Sequence, residues 1–182
     1  MDSPRDEINI NSDHFALFGL TPTFRVDPLS LDKRFRELQA RVHPDRFAHA
    51  GDAERRRSLQ LATRVNEAYQ TLKSPLLRAQ YLLNLAGSDV DKENNTAMPA
   101  EFLMEQMEWR EAVAEARQAR EYGELEQLHH RVRQRMSKRY EQLAELLDDQ
   151  HDYTQAADRV RRLMFLEKLL AEIDDGMAAL EA

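Results

Sequence analysis

From Ala156 to Leu180, apolar residues recur in steps of 4, 3, 3, 4, 3, 4 and 3: Ala156, Val160, Leu163, Leu166, Leu170, Ile173, Met177 and Leu180. Only an α-helix brings such positions onto one side, and so long a stripe must be covered by other helices. Two stretches supply them. Leu125, Leu128, Val132, Met136, Tyr140, Leu143 and Leu147 mark a helix over about 124–148, and Pro99 opens another that reaches about Glu121, with Gly123 as the break between them. Short breaks between long amphipathic helices predict an antiparallel three-helix bundle. No stretch alternates with period two, so the whole chain reads as all-α.

The first half is helical as well, and it bends at a corner. Asp13 is placed to cap a short helix carrying Phe15 and Phe18 and ended by Gly19. Ser30 reads as the cap of the next helix, with Leu31, Phe35, Leu38 and Val42 as its stripe, and residues 52–73 repeat the pattern with Leu59, Ala62, Val65, Tyr69 and Leu72. Between them stands His43-Pro44-Asp45-Arg46-Phe47, where Pro44 stops the first helix. Ser74-Pro75 starts a strongly apolar helix, residues 75–86, that Gly87 closes and that needs burial. Residues 88–98 are polar and unperiodic, the best linker in the chain. The expected domains are a hairpin at 12–75, a connecting helix and linker at 76–98, and the bundle at 99–182. All five glycines and six prolines fall near expected helix ends.

Composition narrows the function. Cysteine is absent, which excludes disulfides and thiol catalysis and removes the usual structural zinc sites. No run of 18 apolar residues is present, and MDSPRDEINI lacks the basic and apolar regions of a secretory signal, so a cytoplasmic protein is expected. Residues 1–87 hold 13 basic and 11 acidic residues; residues 88–182 hold 13 and 22. An acidic chain without a basic, aromatic-interleaved stripe is a poor nucleic-acid binder.

Two features exceed what folding requires. On the helix from Pro99, Phe102, Trp109, Val113 and Ala116 form a stripe sufficient for the bundle core. Leu103, Met104 and Met107 lie on roughly the opposite side among Glu108, Glu111 and Glu115, and Phe165 stands off the seam of the last helix. An apolar patch ringed by carboxylates reads as a partner site, with flexible Met suited to it; packing against the first domain, or of these residues on one another, is the plain alternative. The corner admits three readings: His43 and Asp45 as a general base pair, His43, Asp45 and His49 as metal ligands, or display to a protein partner. Neither a nucleophile nor a chelate spacing accompanies the first two. Lys33, Arg34, Arg36, Arg41 and Arg46 flank the corner and are able to steer it onto an acidic protein surface, although a solvated helix face is the ordinary role of such charges. His14, His129, His130 and His151 read as surface residues, and Arg55-Arg56-Arg57 as a solvated face.

His43-Pro44-Asp45 between two antiparallel helices resembles the signature loop of a J-domain, the module by which co-chaperones stimulate DnaK-class ATPases. Phe15-Ala-Leu-Phe-Gly-Leu20, Arg34-Phe-Arg-Glu-Leu38 and Asn66-Glu-Ala-Tyr-Gln-Thr-Leu72 extend the likeness. Leu76-Leu-Arg-Ala-Gln-Tyr-Leu-Leu83, Phe102-Leu-Met-Glu-Gln-Met-Glu-Trp-Arg-Glu111 and Val160-Arg-Arg-Leu-Met-Phe-Leu-Glu-Lys-Leu169 are similar to the HscB family of iron–sulfur co-chaperones, in order, over about residues 12–180.

The resemblance implies an L-shaped adaptor with no cofactor and no catalysis of its own, working in the cytoplasm. Its J-domain would dock on the chaperone HscA through His43, Pro44 and Asp45, with Lys33, Arg34, Arg36, Arg41 and Arg46 around them. Its bundle would hold the cluster scaffold IscU through Leu103, Met104, Met107, Glu108, Glu111, Glu115 and Phe165. Arg46 stands where many J-domains carry Lys, and Met107 where Leu is more usual. The absence of a cysteine-bearing N-terminal module points to a bacterial-type member.

Overall fold

A computed structural model describes residues 8–88 and 99–181; of the expected linker at 88–98, all but Ser88 lies outside these. The chain divides into two compact units, Met1–Leu82 and Leu83–Ala182. The described residues contain helices and turns and no strand.

The first unit is built on α2 (Pro28–Val42) and α3 (Asp52–Lys73), with the short α1 (His14–Leu17) against α3. Asp27, not Ser30, caps α2: its carboxylate accepts from the Ser30 N–H, and Pro28 occupies the first turn, where its missing donor costs nothing. Phe15, Phe18, Leu31, Leu38, Val42, Val65, Ala68 and Leu72 form the core. Phe35 stacks on Tyr69 at 3.9 Å between centroids, and the Tyr69 hydroxyl donates to Asp32 at 2.7 Å. The apolar stripe of α3 begins one residue earlier than its leucines suggest. Leu59 is exposed, whereas Ser58 is buried and donates its hydroxyl to the Val42 carbonyl at 2.7 Å, satisfying an orphan acceptor at the end of α2.

Helix α4 (Pro75–Leu85) starts at the Ser74 cap. Leu76 and Ala79 are buried, Arg78 donates to the Leu72 carbonyl and lies over the Phe24 ring, and Tyr81 stacks on His14 at 4.2 Å. His14 is therefore an interior residue and not a surface one. Gly87, at φ +78°, ends α4 as expected.

The second unit contains α5 (Ala100–Gln118), α6 (Tyr122–Ala144) with a wider π-helical extension (Glu145–Gln150), and α7 (Tyr153–Glu181). Glu105 near the start of α5 meets Arg139 near the end of α6, and Tyr122 at the start of α6 donates to Glu181 at the end of α7. Both neighbouring pairs are therefore antiparallel, the expected bundle. The break before α6 is made by Arg120, at φ +56°, while Gly123 lies inside the helix. Gly176, in the interior of α7, is no helix end; a side chain there would meet Arg117 Cγ of α5 at 3.1 Å. The core comprises Phe102, Trp109, Val113, Leu125, Val132, Leu143, Val160, Leu163, Leu166, Leu169 and Ile173. On α7 the buried arc takes in Leu169 and Phe165, and Leu170 is only half-buried. On α6 Arg139 is buried where Tyr140 was expected.

A candidate two-partner interface

At the corner, Pro44–Phe47 form one turn of 3-10 helix. His43, with φ −58° and ψ 128°, takes the extended conformation that a following proline demands, and its side chain caps this turn. The Asp45 N–H donates to His43 Nδ1 at 3.3 Å, and the same nitrogen lies 3.6 Å from the Asp45 carboxylate. With Nδ1 accepting, the neutral ring carries its proton on Nε2. The side chains of His43 and Asp45 are 53% and 90% exposed, so the corner presents an imidazole edge and a carboxylate to solvent. A hollow of about 270 Å³ is walled by Val42, Phe47, Glu54 and Ser58 among others; His43 and Asp45 do not line it. Among the described residues no group of three or more His, Asp or Glu side chains is placed to hold a metal ion.

The five basic residues around the corner divide into different jobs. Lys33 and Arg36 point outward from α2 and are exposed. Arg46 donates to the Ala40 carbonyl at 3.3 Å, tying the turn to the end of α2. Arg41 is exposed near the hairpin, along one wall of a cleft that it shares with Arg34. Arg34 is turned inward: its Nη1 donates to the carbonyls of Phe18 and Gly19, the latter at 2.8 Å, and so closes the end of α1. A Cβ at Gly19, itself at φ +61°, would stand 2.9 Å from that nitrogen.

On α5, a step of about 100° per residue separates three faces. Phe102, Trp109, Val113 and Ala116 face the core. Glu105 faces α6, and Arg110 and Arg117 face α7. The outer face holds Leu103 at 47%, Met104 at 62% and Met107 at 70% exposure, with exposed Glu108, Glu111 and Glu115 beside them. Phe165 is not on this face. It is buried on α7, edge-on to Phe102 with centroids 6.0 Å apart and beneath the Arg110 guanidinium. Periodicity misses this packing because it follows a single helix and cannot register a side chain covered by two.

Comparison with known proteins completes the picture. Residues 98–174 match the HSCB C-terminal oligomerisation domain. The chain is 58% identical over 174 residues to a co-chaperone protein HscB homolog of Azoarcus sp. (strain BH72), covering 96% of this chain and 98% of that one. Among solved structures it is similar to chaperone HscB from Vibrio cholerae, with TM-score 0.82, 38% identity and coverage of 93% and 99%. It is also similar to the human co-chaperone protein HscB, with TM-score 0.84, 29% identity and coverage of 90% and 81%. With likeness spanning both units and the display of one polar corner and one acidic-apolar helix face, the chain belongs to the HscB family of J-domain co-chaperones.

Proposed function

We propose that this protein is an iron–sulfur assembly co-chaperone that carries the cluster scaffold IscU to the DnaK-class chaperone HscA and stimulates the ATPase of that chaperone. The observation that carries the reading is the outer face of α5: three exposed apolar side chains within a ring of carboxylates, on a helix whose other faces are occupied. Apolar area buried there contributes about 25 cal/mol per Å² gross, reduced by the ordering costs of association. Glu108, Glu111 and Glu115 select a folded partner with basic residues opposite them, and Arg110 holds Phe165 at the margin of the patch. The other partner is met at the corner. His43 offers an oriented N–H and Asp45 an acceptor, Pro44 keeps both in place, and Lys33, Arg36, Arg41 and Arg46 steer the approach to an acidic surface. Arg34 contributes by holding α1 under α2.

The test uses purified scaffold and chaperone. His43→Gln should remove stimulation of the ATPase while the scaffold still binds; full stimulation by this variant would defeat the mechanism. Met104→Ala with Met107→Ala should weaken scaffold binding at least about tenfold, since truncation of a central contact commonly costs more than ~1 kcal/mol, and should leave stimulation by the protein alone intact. Unchanged affinity by calorimetry, or equal binding of many denatured clients, would replace the scaffold by general client capture.

A further inference from the structure

The flank of α5 that turns toward α6 is chemically the reverse of its outer face. Glu105 on this flank is met by Arg135 and by Arg139, whose Nη2 lies 3.3 Å from its carboxylate. Around this carboxylate the bundle gathers five cations, Arg131, Arg135, Lys138 and Arg139 from α6 and Arg159 from α7. With Trp109 they wall a pocket of about 540 Å³, a size common for small-molecule sites.

Four observations show that positive charge around the pocket exceeds what Glu105 balances. Arg139 is only 8% exposed, and its fully buried Nη1 has no hydrogen-bond partner; buried donors in folded proteins are nearly always satisfied. Burial, together with Arg135, Arg162 and Arg159, pushes the Arg139 pKa down, with Glu105 alone opposing them. Arg131 lies over the Trp109 ring, its guanidinium carbon 5.0 Å from the centroid, a contact made through the ring and not through its N–H donors. Among the described residues neither Lys138 nor Arg159 forms an ion pair.

We propose that this pocket binds a small anion carrying a chain of two or more phosphoryl groups. The guanidinium groups of Arg131 and Arg139 face its inner oxygens, and Lys138, Arg135 and Arg159 surround the outer ones. Guanidinium forks match phosphoryl oxygens in pairs, and five cations against one carboxylate call for more charge than a single carboxylate ligand brings. The site lies on a different flank from the outer face of α5 and does not depend on what that face binds.

Trp109 is the only tryptophan in the chain, so its fluorescence reports on the pocket. The full-length protein, at low salt, is titrated with inorganic triphosphate, with ATP, with citrate and with a short poly-glutamate peptide, by fluorescence and calorimetry. Triphosphate should bind one-to-one with a Kd below about 1 mM, and citrate and the peptide at least about tenfold more weakly. Equal binding of ATP and triphosphate identifies the phosphate chain alone as the ligand; tighter ATP binding identifies a nucleotide. Lys138→Glu with Arg159→Glu should weaken triphosphate at least about tenfold, whereas Arg133→Glu, an exposed α6 position outside the pocket, should change it little. If the double variant fails a thermal-melt check, Arg159→Gln is read by the same criterion. No saturable response to triphosphate or ATP, or an unchanged affinity in the pocket variant, overturns the proposal. Tighter binding of citrate or the peptide overturns the phosphate assignment.

Discussion

Phe165 meets Phe102 edge-on, with the ring planes at 88° and the centroids 6.0 Å apart, so that a residue of α7 closes the bundle beside the exposed face of α5. Stability and recognition are therefore separable at this place. Phe165→Ala should destabilise the bundle by about 3 kcal/mol or more, the range for emptying a buried aromatic site. Met104→Ala, at an exposed position, should stay within about 0.5 kcal/mol. Urea titration checks both, and a weakened scaffold interaction in Phe165→Ala alone is interpretable only after that correction.

Arg34 and Lys33 stand next to each other in sequence and should behave oppositely. Arg34→Met leaves the Phe18 and Gly19 carbonyls without their donor. The expected loss is about 1–3 kcal/mol in the first unit. Lys33→Met should leave stability nearly unchanged and instead slow association with the chaperone. Chemical denaturation and stopped-flow association, each at two salt concentrations, distinguish the two.

His14 should make the first unit sensitive to mild acid. Burial is the main cause holding its pKa below the ordinary histidine value; Arg64 adds to this, and Glu67 and Asp13 oppose it. A depressed folded-state pKa means that the unfolded chain takes up the proton first. The contribution of His14 is therefore complete above the unfolded value of about 6.5 and is lost as pH falls below it toward the folded value. His14→Phe, which keeps a ring against Tyr81, should flatten the fall in Tm between pH 7.5 and pH 5.5.

Arg120 occupies the left-handed region without being glycine. Arg120→Gly should stabilise the bundle by roughly 0.5–1 kcal/mol, because the strain of a Cβ in that conformation exceeds the added freedom of glycine in the unfolded chain. A higher denaturation midpoint with an unchanged slope would show it.

The sequence revealed most of what depends on one helix at a time. Leu103, Met104 and Met107 were separable from Phe102 and Trp109 because a single wheel distinguishes opposite sides. Features that arise from a second helix were not legible. Leu59 fits a stripe as well as Ser58 does, until the Val42 carbonyl supplies the serine with an acceptor. Tyr140 looks like the core residue of its turn and Arg139 does not, because only Glu105 on another helix makes a buried guanidinium tolerable. Gly123 is an obvious breaker in sequence, but Arg120 turns the chain three residues earlier, where its N–H donates to the Arg117 carbonyl and that of Glu121 to Ala116. Arg34 shows the same limit among the candidate docking residues. Its neighbours gave it a place in a basic strip, and the carbonyls of α1 gave it an inward direction.

The His14–Tyr81 contact also sets an order of events. The backbone N–H of His14 donates to a hydroxyl 67 positions further along the chain. Contacts this distant in sequence form late and slow the closing of a fold. On the ribosome, α3 is complete at Lys73, eight residues before Tyr81 is made, and the His14 N–H obtains its acceptor only then. The corner that carries His43 and Asp45 thus joins a finished unit just as α4 emerges. An early stop in synthesis before Tyr81 would release a hairpin with α1 held by α3 and Arg34 but with His14 uncovered.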